Sequence, residues 1–137
     1  VPVTVRVSDK SGDGGSNILT QNILTGNPAL IFYEQAPLLG TLFERALAGE
    51  KTTQGTSFRI RATPYFFSHD NMVNGDLVYT WKKDGASVAP ALDPNILLLG
   101  KTGEVAQSST VTLSVENRKR ILQAADARVT INFSEEQ

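Results

Sequence analysis

Alternation of apolar and polar residues marks much of this chain as β-strand. In the clearest run, Leu77, Tyr79 and Trp81 fall on one face, and the run then stops at Asp84-Gly85. Period-two alternation is typical of a strand with one buried face, and Asp-Gly is a favoured hairpin turn. The run therefore predicts a half-buried strand followed by a hairpin, with Trp81 in the core of a β-sandwich.

Other segments show alternation or short apolar runs of the same kind. The apolar residues between 37 and 48 instead recur at helical spacing, which favours either a short helix near 38–48 or a compact apolar loop over one end of the sandwich. The connection from Glu116 to Ala125 has room for one irregular strand at Ile121 and Leu122. Pro64 indicates a bulge or an edge position. The remaining predicted strands are 3–7, 29–34, 58–66, 96–99, 110–115 and 128–133.

This succession of strands predicts an all-β fold, an antiparallel β-sandwich of seven to nine strands. The 137 residues fit a single domain, 1–137, and a domain of this length can bury a self-sufficient core. The predicted core consists of the apolar residues of the alternating runs: Val3, Val5, Val7, Phe58, Ile60, Tyr79, Trp81, Val111, Leu113, Val115, Val129 and Ile131.

Composition excludes several classes of function. The 13 basic and 14 acidic side chains give a net charge of -1, so no global field attracts nucleic acid or an anionic membrane. The absence of Cys excludes disulfides, zinc-thiolate sites and Cys nucleophiles. The apolar runs are too short to span a bilayer. Since the chain begins at Val1 rather than Met, we expect a processed or trimmed chain.

The order of the later strands resembles the polycystic-kidney-disease (PKD) and related immunoglobulin-like modules of bacterial cell-surface proteins. Tyr79 and Trp81 match their Tyr-x-Trp strand before an Asp-Gly hairpin, and Val111, Leu113 and Val115 match their Val-x-Leu-x-Val strand. The resemblance covers roughly residues 56–135.

Two features depart from that family pattern. Gln107-Ser108-Ser109 stands where Gly-x-Tyr is usual, and the loop 116–127 is longer and more basic. Residues 1–55 are expected to add N-terminal strands and irregular cover. The resemblance implies a non-enzymatic spacer, adhesive unit or assembly subunit at an extracellular bacterial surface.

Two oxygen-rich segments are candidate calcium or sugar loops. Asp9 and Asp13 lie in a segment with the spacing of the first half of a calcium loop, but its twelfth position is Thr20, not an acid. The second segment, 68–76, offers Asp70, Asn71, Asn74 and Asp76. Plain solvated turns also explain both segments. Calcium is the one cofactor that the sequence suggests.

The consecutive aromatics Tyr65, Phe66 and Phe67 are the best indication of a partner. One strand face cannot hide all three rings, so at least one belongs to an interface unless residues 37–47 cover it. The opening strand offers a second contact, because Val3 and Val5 could pair with a neighbouring subunit by strand addition. We expect a protein partner or self-association.

Catalysis and nucleic-acid binding are not expected. His69 is the only histidine, and no nucleophile elbow or phosphate loop accompanies it. The local basic clusters are interpreted as solvated surface, and no membrane insertion is predicted. The alternative function is a carbohydrate-binding module that uses the 68–76 loop and an exposed Tyr33 or Tyr65.

Overall fold

The computed structural model describes residues 27–91 and 93–135. In this part the chain forms nine strands and one short helix. Their bounds are β1 Ala29–Ala36, β2 Gly40–Leu47, β3 Gly49–Thr53, β4 Ser57–Tyr65, α1 His69–Val73, β5 Leu77–Lys83, β6 Ala86–Val88, β7 Ile96–Gly100, β8 Gln107–Asn117 and β9 Ala124–Phe133. The predicted opening strand 3–7 lies outside the described residues.

The strands form two packed sheets, which confirms the all-β sandwich. One sheet has the order β2-β1-β4-β7 and the other the order β3-β9-β8-β5-β6. Neighbours pair antiparallel, except that β3 runs parallel to β9. The chain passes from the first sheet to the second through Ala48, so β2 and β3 form adjoining edges.

The core lies between the two sheets and is formed mainly by alternate residues of β1, β4, β5, β7, β8 and β9. Trp81 is 1% exposed and stacks on Phe32 of the opposite sheet, with ring centroids 5.7 Å apart. Its Nε1 donates a hydrogen bond of 2.8 Å to the carbonyl oxygen of Pro94, so the polar edge of the buried indole is satisfied. The predicted core residues in the described part are buried, apart from Tyr79, which packs half-buried against the same cluster.

The Asp-Gly hairpin forms as expected. Asp84 and Gly85 both have positive φ, 50° and 84°, as a two-residue type I′ turn requires. Asp84 also fixes the neighbouring strand, because its Oδ1 accepts a hydrogen bond of 2.8 Å from the backbone N–H of Thr110. The turn sequence therefore sets the register of β5 against β6 and anchors it to β8.

The prediction of a helix or covering loop near 38–48 is wrong. A turn at 37–39 reverses the chain, Gly40 adopts a φ of +75°, and β2 pairs with the edge of β1. Pairing with β1 satisfies the backbone groups of this segment, and Phe43 packs edge-on against Tyr33 of β1. Leu38 and Leu39 are 97% and 78% exposed at the turn, so they cover nothing.

Two smaller predictions also change. Ile121 and Leu122 form no strand, since they lie in a turn between β8 and β9. Pro64 lies in a strand that is central to its sheet, but β7 pairs with β4 only along residues 57–61. Pro64 is therefore beyond the end of β7, at a local edge where no donor is needed on that side.

The loops that connect the strands discussed below lie at two opposite ends of the sandwich, which we call the upper end and the lower end. The upper end holds the β4–β5 connection, 66–76, and the β8–β9 connection, 118–123. The lower end holds the β1–β2 turn at 37–39, the β7–β8 connection at 101–106 and the residues that follow β9. Within the described part of the chain, no helix has the length and apolar character that crossing a membrane requires.

Candidate functional site

A buried asparagine ties the two connections of the upper end together. Asn117, at the end of β8, is 3% exposed. Its Nδ2 donates to Oδ1 of Asn71 at 3.0 Å and to Oε1 of Gln123 at 2.8 Å, and its Oδ1 accepts from the backbone N–H of Lys119 at 3.0 Å. One side chain thus links α1 to both sides of the 118–123 turn.

Further hydrogen bonds complete this network. Oε1 of Gln123 also accepts from the backbone N–H of Ser68 at 3.0 Å, and Nδ2 of Asn71 donates to Oδ2 of Asp76 at 3.1 Å. The backbone N–H of Arg118 donates to the carbonyl of Asp76 at 2.9 Å. Because these bonds join segments far apart in sequence, the two connections form one fastened unit.

The predicted calcium or sugar loop is built into this network. Asn71 and Asp76 are used in internal hydrogen bonds, whereas Asp70 and Asn74 are exposed. In residues 27–91 and 93–135, no three acidic, histidine or cysteine side chains come together as metal ligands would. Through Asn71 and Asp76 the 68–76 segment helps to hold the upper end together. Asp9 and Asp13 lie outside the described residues.

The upper end also leaves several apolar side chains in solvent. Ile121 and Leu122 are 93% and 90% exposed at the centre of a turn closed by a 2.9 Å bond from the Gln123 N–H to the Arg120 carbonyl. Val73 on α1 is also well exposed. The basic residues 118–120 precede the apolar pair and are all exposed. These exposed apolar side chains beside the basic residues make the upper end a candidate contact surface.

The three consecutive aromatics have three different environments. Phe66 adopts a left-handed backbone with a φ of 62° and is 64% exposed, so it is the outward ring. The change of direction at Phe66 turns Phe67 inward, where it joins the core at 8% exposure. The assignment of Phe67 to a partner surface is therefore wrong. Tyr65 is half-buried, and Val3 and Val5 lie outside the described residues.

Tyr33 and Tyr65 form a pair rather than two open platforms. Their hydroxyls are 3.0 Å apart, and Tyr33 is 7% exposed, with the ring of Phe43 edge-on at 5.1 Å. The hydrogen bond with Tyr65, together with burial, raises the pKa of Tyr33 above its ordinary value. A sugar ring needs an accessible aromatic face, which Tyr33 does not offer.

The outer face of the five-stranded sheet is polar. A shallow groove of about 610 Å³ runs over it, lined by Thr and Ser with charges of both signs and by no aromatic residue. Cross-strand bonds, such as that between the hydroxyls of Thr110 and Thr130 at 3.3 Å, use part of this polarity. The groove lacks the stacking surface of a typical sugar site and is an ordinary solvated sheet face.

No family model, no curated protein and no solved structure gives a significant match to this chain. The functional argument therefore rests on the sequence and the structure alone.

The sequence interpretation missed Asn117 and misassigned Ile121 and Leu122. Nothing local distinguishes Asn117, since its partners Asn71 and Gln123 lie in two different connections. The apolar pair could have been found, because two large aliphatic residues inside a short basic connection have no core to face. Turn centres usually hold Gly, Asn, Asp, Ser or Pro instead.

Proposed function

We propose that this chain is a non-enzymatic structural or adhesive module of an extracellular bacterial surface protein or appendage. It acts through contacts at its ends and strand edges. The single observation that supports this is the upper end, where Asn71, Asn117 and Gln123 hold two connections together by hydrogen bonds. The apolar side chains of Val73, Ile121 and Leu122 and the basic residues 118–120 are exposed there, where a partner can reach them.

The strand order supports an immunoglobulin-like module, the broad class to which the resemblance to PKD modules points. β1, β4 and β7 have the order of strands A, B and E in such sandwiches, and β9, β8, β5 and β6 have the order of G, F, C and C′. Trp81 then lies on the strand equivalent to C. The fastened connections correspond to the B–C and F–G loops, the end at which variable domains bind their ligands.

Ligand screening tests this function against its rival. We expect no saturable binding on a glycan array and the same unfolding midpoint in about 1 mM calcium as in chelator, the affinity range of extracellular calcium modules. A calcium-dependent rise in the midpoint that Asp70→Ala abolishes would contradict a purely structural role for the 68–76 segment.

The alternative is a carbohydrate-binding module, and the exposed ring of Phe66 beside the 68–76 segment is the observation in its favour. Saturable sugar binding that is lost in Phe66→Ala would establish this alternative. Phe43→Ala is the control for loss of an exposed phenyl ring, because Phe43 is 57% exposed and belongs to β2 rather than to that segment.

Strand addition by residues 1–8 remains a proposal for how the module pairs with a neighbour. It predicts that self-association weakens when residues 1–8 are deleted, since backbone hydrogen bonds supply the contact. An oligomer of unchanged affinity after the deletion would assign the contact to another surface.

A further inference from the structure

Four strands of the described residues lie at sheet edges: β2 and β7 in the first sheet, and β3 and β6 in the second. Three of them carry features that discourage a further strand from pairing. β2 has an irregular register against β1 and contains Glu44 and Arg45. β3 contains Glu50 and Lys51, and β6 has only three residues. Irregular pairing, charged side chains and shortness are common protections of sheet edges.

β7 is the edge without charge or irregularity. Its five residues include no charged side chain and no proline, and they pair with β4 in one continuous register. Leu97 and Leu99 face the core, at 2% and 3% exposure. Leu98 lies between them on the outer face and is 49% exposed, so it offers an apolar contact to a further strand.

The pairing with β4 shows which backbone groups of β7 are open. In an antiparallel pair, every second residue exchanges hydrogen bonds with its partner. The backbone N–H of Lys101 donates to the carbonyl of Thr56 at 2.8 Å, so the odd-numbered residues of β7 are the ones that bond to β4. The backbone N–H and C=O groups of Leu98 and Gly100 therefore point away from β4.

The turn before β7 uses the outward groups of Ile96. Its N–H donates to the carbonyl of Asp93 at 3.0 Å, and its carbonyl accepts from the N–H of Ala91 at 2.9 Å. Among the described residues, no backbone hydrogen bond uses the outward groups of Leu98 and Gly100. These two residues leave two donors and two acceptors for another strand.

The opening run of the chain has the pattern of such a strand. Val3, Val5 and Val7 alternate with Thr4 and Arg6, which is typical of a strand with one apolar face. If Val5 is opposite the exposed leucine of β7, all three valines lie on the face of that leucine. Apolar cross-strand pairs of this kind stabilise a sheet.

The chain between this run and β1 is long enough to reach a neighbour. The described part begins at residue 27, so roughly 20 residues follow Val7 before it. When extended, they span up to about 65 Å. A ten-residue strand such as β9 is only about 34 Å long. The opening run can therefore extend beyond its own sandwich.

We infer that residues 3–7 of one copy pair antiparallel with β7 of the next copy, as a fifth strand of its first sheet. This rests on the proposed function and deepens it, because it names the edge that accepts strand addition by residues 1–8. Donor and acceptor are different parts of the chain, so the contact is heterologous and extends from copy to copy. Few backbone bonds and one leucine make it a weak contact that depends on concentration.

A disulfide crosslink tests the pairing, since the chain has no Cys of its own. One variant carries Val5→Cys, and a second, with a tag that changes its mass, carries Leu98→Cys. Hydrogen-bonded antiparallel pairs have Cα atoms about 5.5 Å apart, within the range of a disulfide. The matched control is Ser87→Cys with the same tag, because Ser87 is exposed on the edge strand β6. Each tagged variant is mixed with Val5→Cys, oxidised at about 100 µM, a concentration suited to weak contacts, and analysed on a non-reducing gel.

Val5→Cys should form a mixed dimer with Leu98→Cys in several-fold higher yield than with Ser87→Cys. Both acceptor variants should keep the unfolding midpoint of the wild type, since each side chain is exposed. No mixed dimer, or equal yields with the two acceptors, would overturn pairing at β7. In a chain that carries both Val5→Cys and Leu98→Cys, a disulfide formed mainly within the 14.8 kDa monomer would overturn the second copy as donor and assign residues 3–7 to their own sandwich.

This failure is distinguishable from a failure of the proposed function. If deletion of residues 1–8 weakens self-association but no crosslink forms at position 98, only the choice of β7 as the acceptor edge is overturned. The glycan and calcium screens decide the proposed function independently of the crosslink.

Discussion

Replacing Asn117 with Ala tests whether the upper end is fastened as described. The buried side chain makes three hydrogen bonds, to Asn71, Gln123 and the backbone of Lys119. A buried hydrogen bond contributes about 1 kcal/mol net, and the partners are left unsatisfied when Asn117 is removed. We therefore expect the free energy of unfolding to fall by about 3 kcal/mol.

The loss is measured by urea unfolding with linear extrapolation, at unchanged m-value. Asn132→Ala is the matched control, because Asn132 lies on β9 and its side chain accepts an exposed hydrogen bond from Ser108. The control should lose no more than about 0.5 kcal/mol. Amide hydrogen exchange adds a local readout, since the Lys119 N–H loses its acceptor. A loss below about 1 kcal/mol, or one equal to the control, would refute the fastening role.

Three further predictions concern the core. Trp81→Ala should cost roughly 3–5 kcal/mol in a denaturant melt, because the indole is 1% exposed, and a loss under about 1 kcal/mol would contradict its core position. Burial raises the pKa of Tyr79 above 10.0 in the folded state. Tyr79 therefore ionises at a lower pH in the unfolded state than in the folded state. The free energy of unfolding should decline as the pH rises above 10, and the decline should be smaller in Tyr79→Phe. A difference in stability between the two proteins that does not change with pH would argue against this. Ser109→Ala should raise stability by about 1 kcal/mol, since the hydroxyl is buried without a partner among the described residues, and a clear destabilisation in thermal melts would reveal a missed partner.

The strands with a clean period-two pattern could be predicted from sequence because the pattern is local. Trp81 and its hairpin follow from alternation and Asp-Gly alone. The 38–48 segment could not be predicted in the same way, because its strand depends on the open edge of β1. The prediction that Phe67 belongs to a partner surface failed for a local reason. The left-handed backbone of Phe66 changes the direction of the chain, so the side chain of Phe67 points into the core.

The candidate site was less accessible to sequence reasoning than the fold. The 68–76 segment was correctly singled out as polar, but its partners lie across the sandwich end, so its structural use became visible only with Asn117 in place. Hydrogen bonds that join two distant connections leave no recognisable motif in the sequence of either one. An exposed pair of apolar residues, by contrast, can be recognised once the segment that carries it is known to be a turn.

The most direct test of the account is the mass of the unmodified chain by light scattering as its concentration rises from about 10 µM to about 1 mM. A module that acts by self-association predicts a mass that climbs above 14.8 kDa with concentration. A mass of 14.8 kDa at every concentration would contradict self-association.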